Sequence, residues 1–166
     1  MFKSEISERR GVHHKISLWL FLILFGLYAS LFTGCLPKKP GSEGWSKQID
    51  VFGLALFSAN DDKSIRGVVP KKEPCIRGFD YSYDPLDISV VYGTDDRIRK
   101  IATRNRETGM FGIRVGDPFP KGKASILQAG FSEGDTPFKF TKDGFLFTLL
   151  VDDRDRIFGM ALETLE

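Results

Sequence analysis

The sequence predicts an α+β fold built from two tandem β-α-β-β-β units, with antiparallel sheet and helices packed on one face. Three observations predict it. The chain resembles itself at an offset of 59 residues, without a gap from Val51 to Ala102 on Met110 to Ala161. Phe79, Tyr81 and Tyr83 alternate as the residues of one strand face do. An apolar-periodic segment is punctuated by Asp117-Pro118 before it and Gly130 after it, the residue types that start and stop helices.

The offset lays "VFGLAL" on "MFGIRV", so Phe52 and Gly53 meet Phe111 and Gly112. Phe79 falls on Phe138 and Asp84 on Asp143. "DDRIRKIA" falls on "RDRIFGMA", matching Asp96, Arg97, Ile98 and Ala102 to Asp155, Arg156, Ile157 and Ala161. Each unit is therefore expected to open with a short apolar strand, at 51–56 or 111–115. A helix follows in each: 59–69 with Ser58 as its cap, and 118–129 with Asp117 before Pro118. Three strands complete the first unit at 76–83, 87–92 and 97–103, and the second at 138–142, 145–151 and 156–162. Asp143-Gly144 is a hairpin signal, and "GTDD" and "DDRD" read as matching turns. The units span 48–106 and 107–166.

The first 34 residues are of another kind. Lys3, Arg9, Arg10 and Lys15 make a basic start, and "ISLWLFLILFGLYASLF" then runs from Ile16 to Phe32 without a charge. As a helix rising about 1.5 Å per residue it would be roughly 25 Å long, at the short edge of what spans a bilayer. A basic region, an apolar region and small residues at the boundary form the pattern of a secretory signal. Leu31-Phe32-Thr33-Gly34-Cys35 resembles the lipobox of bacterial lipoproteins, with Phe32 where that family usually has Leu. The resemblance implies cleavage between Gly34 and Cys35, a diacylglyceryl thioether on Cys35, and membrane lipid as one partner. The alternative is an uncleaved single-span anchor; both export the rest of the chain. Residues 35–47, rich in Pro, Lys, Gly and Ser after Cys35, would then be a tether. An acylated chain lacking Asp after Cys35 points to the outer membrane where the cell has two, and otherwise to the outer face of the cell membrane.

The segment "FGIRVGDPF…ILQAGF", followed by hairpins such as "FLFTLLVDDRDRIFGMAL", resembles a short α+β module of exported bacterial proteins. The family of the beta-lactamase inhibitor protein has two such units in tandem, and the BamE (SmpA/OmlA) lipoproteins have one. The resemblance covers about 48–165 and implies protein binding across the sheet.

Composition narrows the chemistry. The chain has 24 Lys and Arg against 22 Asp and Glu; setting aside the leader's four basic and two acidic residues leaves 20 of each. A neutral domain without a basic run offers no footing for nucleic acid. The two histidines are His13 and His14, inside the leader. A cleaved chain then has no His for a catalytic triad, a Cys-His dyad or a His-containing zinc site. No phosphate-binding loop or dinucleotide fingerprint is present, and no cofactor is implied. Asp95 and Asp96, like Asp152, Asp153 and Asp155, read as turn residues, because their spacing does not fit an EF-hand loop. With Cys35 acylated, Cys75 has no disulfide partner and is expected to be a small buried residue.

The sequence thus predicts no enzyme and no metal site, but an anchored envelope module that binds or scaffolds a protein partner. Phe79, Tyr81 and Tyr83 are candidates for a partner-facing surface, weighed against a place in the core. Trp45, at the end of the tether, is open between the membrane interface and the domain. The alternative function is binding or processing of a small ligand or carbohydrate between the two repeats, which converging carboxylates would favour.

Overall fold

The structure, a computed structural model, describes residues 48–165. Two antiparallel sheets account for its strands. The smaller has three: β1 (Ile49–Asp50), β6 (Gly109–Met110) and β7 (Ile113–Arg114), in the order β1-β6-β7. The larger has eight: β2 (Lys71–Cys75), β3 (Gly78–Tyr83), β4 (Ile88–Gly93), β5 (Ile98–Thr103), β8 (Ser132–Glu133), β9 (Lys139–Lys142), β10 (Phe145–Val151) and β11 (Ile157–Thr164). Their order is β2-β3-β4-β5-β11-β10-β9-β8. A single α-helix among the described residues, α1 (Phe119–Gln128), completes the set. The fold is therefore predominantly antiparallel β, and the expected α+β architecture with a helix in each unit is incorrect.

The missing helix has a local cause. Between Ala59 and Val69 only Ile65 is buried, and Val69 is 82% exposed, so no apolar stripe exists to dock a helix. Asp62 instead takes the Ser64 N–H and hydroxyl on its two carboxylate oxygens, both at 2.9 Å. Side-chain bonds of this kind compete with helical backbone bonds. Arg66 and Gly67 then turn with φ of 51° and 78°, and Ile65 bridges Val68. Ser58, expected as a cap, donates to the Ala55 carbonyl.

α1 forms because its sequence does supply these features. Ile126 is fully buried, and Gly122 rests so close to Ile157 that any Cβ would press on that side chain. The helix closes on Gly130, φ 87°, with the Gly130 N–H bonded to Leu127 O and the Phe131 N–H to Ile126 O. That is a Schellman ending, with Phe131 buried behind it. Asp117 does not cap the helix; its carboxylate accepts from the Arg114 N–H and the Lys121 ammonium.

The stretches expected as opening strands are turns at 52–53 and 111–112, with strand only at Ile113–Arg114 (β7). Phe52-Gly53 and Phe111-Gly112 all have positive φ, 51° and 79° in one pair and 54° and 76° in the other. Two successive left-handed residues make the type I′ geometry that suits a tight hairpin, and Met110 pairs Ile113 across the second. Met110 also pairs Ile49, which joins the starts of the two halves.

The hairpins β4–β5 and β10–β11 have the same register under the 59-residue offset. Ile88 pairs Thr103 as Phe147 pairs Leu162, and both ladders slip at equivalent places, Val91/Tyr92 and Leu150/Val151. The segments before them attach alike. The Phe57 N–H bonds Ile98 O and the Ile98 N–H bonds Ser58 O; Gly116, Ile157 and Asp117 repeat both bonds. The offset fails further out. Tyr83 pairs Ile88 across the four residues 84–87, whereas Lys142 pairs Phe145 across Asp143-Gly144 alone. Phe140, not Lys142, therefore holds the place of Tyr83, and both are fully buried.

Candidate functional site

Strand alternation gives the large sheet two unlike faces. The inner face carries the core, from Tyr83, Val90 and Ile101 through Leu162, Phe147 and Phe140. The outer face carries a cross-strand row of small side chains: Ser82 pairs Ser89, Ser89 pairs Ala102, Ala102 pairs Ala161, and Ala161 pairs Thr148. All five are half-buried, so solvent reaches the whole row.

The row is symmetric. Ala102 and Ala161 are equivalent under the 59-residue offset, as are Ser89 and Thr148, and Ala102 and Ala161 pair directly. A local two-fold axis therefore passes between β5 and β11, where the two hairpins join into one continuous sheet. Small residues at the axis keep the middle of the face low, and taller side chains rise around it. The Ser89 hydroxyl is fixed on Asp80 at 2.7 Å, and Lys100 faces Glu163 at 3.7 Å across β5–β11.

Symmetry breaks at the β3–β4 end. There the longer connection makes a 3-10 turn over Asp84–Leu86, with Asp87 left-handed at φ 50°. Asp84 and Asp87 stand at the rim of a depression of about 310 Å³, whose floor includes Ala102 and Ala161 and whose other walls include Arg104 and Leu150. The Arg104 N–H is bonded to Asp87 O, while its guanidinium lies 5.7 Å from the centre of the Phe158 ring. Among the described residues no ion pair joins Arg104 to either carboxylate. The equivalent corner of the second half holds Asp143-Gly144, too short a turn to build such a rim.

The candidate aromatics do not form an exposed face. Tyr83 is fully buried with its hydroxyl donating to Lys63 O at 2.6 Å, and Tyr81 is 8% exposed, edge-on to Tyr92 at 5.0 Å. Burial pushes the Tyr83 phenol well above its ordinary value and the Tyr92 phenol up to about 12. Phe79 is 40% exposed at the margin of the same inner face, with the Lys72 ammonium 3.8 Å over its ring. Cys75, expected inside, is exposed on β2, where all five residues face solvent. Lys71, Lys72 and Pro74 blunt that outer edge against pairing with another strand.

Cys35, Gly34, Trp45, both histidines and the apolar run 16–32 lie outside the described residues. Within them, no helix is long and apolar enough to cross a membrane, and no group of three or more His, Cys, Asp or Glu converges on a metal position. The sequence signal for the outer face was present in part. The offset matches Ala102 to Ala161, but only strand register shows that the two touch. No protein-family model, no curated protein and no solved structure matches the chain.

Proposed function

We propose that this chain is a lipid-anchored envelope lipoprotein whose β domain binds a protein partner across the outer face of the eight-stranded sheet. The observation that carries the binding role is the solvent-reached row Ser82, Ser89, Ala102, Ala161 and Thr148. A low, continuous strip across five strands accepts a convex partner without repacking the core, and partners of that kind usually meet preformed surfaces. The anchoring rests on the Thr33-Gly34-Cys35 pattern at the end of the apolar run. Two or more acyl chains would hold the domain stably at the membrane, raising its local concentration beside envelope proteins.

A second reading has its own observation. The depression draws its walls from both halves, Asp84 to Arg104 and Leu150 to Ala161, which supports binding of a small ligand or carbohydrate between the repeats.

The test is cross-linking of the tagged full chain in its own membranes, followed by purification and mass spectrometry. The expected result is one dominant envelope protein whose cross-links map to β4, β5, β10 and β11, on a chain beginning at acylated Cys35. An unprocessed amino terminus would overturn the anchoring. Cross-links confined to the inner-face side would overturn the binding surface. Recovery of a sugar or small molecule with no protein would favour the second reading.

A further inference from the structure

We infer that the depression beside the β3–β4 connection receives a lysine side chain of the partner protein, an aliphatic stem ending in a primary ammonium. This rests on the reading of the outer face as a protein-binding surface. The depression is amphipathic in one direction. Its lining is apolar at Ala102, Ala161 and Leu150 and carries the hydroxyls of Ser82 and Ser89 beside them, while the exposed Asp84 and Asp87 stand at the solvent side. A lysine has the same division, with a stem that covers apolar surface and a head that stays near water.

The local charges leave room for that head. Arg104, the cation in the wall, is turned onto Phe158 and bonded to neither carboxylate among the described residues. Lys71, whose charge reaches Asp84, has its own ammonium on Glu73 at 2.5 Å. Two carboxylates against one diverted guanidinium make the rim net negative. A partner carboxylate there would meet like charge, and a purely apolar side chain would cover both acids without compensation. The opposite corner repeats the floor but not the rim, since Asp143-Gly144 supplies one carboxylate where 84–87 supply two. The surface therefore has one such seat, which fixes the direction in which a partner lies across an otherwise near-symmetric face.

The experiment titrates the isotope-labelled full chain in detergent micelles with N-acetyl-lysine methylamide, following backbone amides by NMR. N-acetyl-leucine methylamide and N-acetyl-glutamate methylamide serve as controls. Exposed ion pairs are individually weak, so the lysine probe should saturate in the millimolar range. It should shift the Ser89, Ala102 and Arg104 amides, and binding should weaken at least about threefold in the Asp84→Asn/Asp87→Asn double variant. Equal response to the leucine or glutamate probe would overturn the inference. So would an unchanged response in the double variant, or no saturable shift up to about 50 mM. The two readings fail separately. Partner capture lost in Ala102→Arg but undiminished in the double variant would remove the lysine seat and leave the binding face. Capture indifferent to Ala102→Arg would remove the binding face itself.

Discussion

The two halves of this domain share a scaffold and differ in what covers it. Each contributes a hairpin with the same register, the same slipped pair and the same pair of hydrogen bonds to the preceding segment. Over the second hairpin lies α1, seated through Gly122, with a phenylalanine core in which Phe147 meets Phe111 at 5.4 Å and Phe131 at 6.0 Å. Over the first lies the irregular segment 54–69, and the core there is Tyr81, Tyr83 and Tyr92. Lys63 closes it, with its ammonium 4.0 Å over the Tyr92 ring and 2.9 Å from Asp96. One backbone plan thus tolerates an apolar cover and a polar one. The difference shows that hairpin register is set within the sheet, by alternation and turn chemistry, while the cover is set by whether a segment can present an apolar stripe.

Truncation should separate the halves most strongly. Phe147 and Ile88 are equivalent positions and both are buried. Phe147→Ala removes a ring from an aromatic cluster and is expected to cost about 4 kcal/mol, whereas Ile88→Ala is expected to cost about 2–3 kcal/mol. Urea midpoints at unchanged slope would show it. Equal losses would mean that the two cores are packed alike despite their composition.

Alkaline pH should discriminate more finely. Burial raises the Tyr92 phenol from 10.0 to about 12, so the folded state favours its neutral form. The stability that this supplies is complete below pH 10 and is lost as pH rises from 10 toward 12, an effect on the order of 2 kcal/mol. The equivalent residue of the second half is Val151, which does not titrate. Tyr92→Phe should therefore lose less stability than the wild type between pH 9 and pH 11.5, as read by denaturant unfolding at each pH. Parallel losses would show that Tyr92 is not the source of the sensitivity.

Legibility followed the same division. The strands of both hairpins were readable because alternation and turn residues such as Asp143-Gly144 act locally. α1 was readable for the same reason, from Pro118 to Gly130. The region 59–69 was misread because Ser58 resembles a cap while the absence of a buried stripe is decided by tertiary packing. Phe52 and Phe111 were misread because a non-glycine residue at positive φ leaves no mark in composition. Eleven strands stand among the described residues where eight were expected, and β2 and β8 went unread because they are polar edge strands with no apolar alternation to announce them. The outer face was the least legible. Ser82, Ser89, Ala102, Ala161 and Thr148 are unremarkable in sequence and become a surface only through register. Aromatic residues drew attention to Tyr81 and Tyr83, which the same alternation turns inward.

The most direct test of the binding face is Ala102→Arg, with Leu127→Arg on α1 as control. Both positions are solvent-reached, Leu127 at 38% exposure, so neither change should move stability by more than about 0.5 kcal/mol. Affinity for the partner recovered by cross-linking would be measured for each variant anchored in lipid. The account predicts a loss of about tenfold or more for Ala102→Arg and no change for Leu127→Arg. Unchanged affinity in Ala102→Arg, or a loss confined to Leu127→Arg, would contradict it.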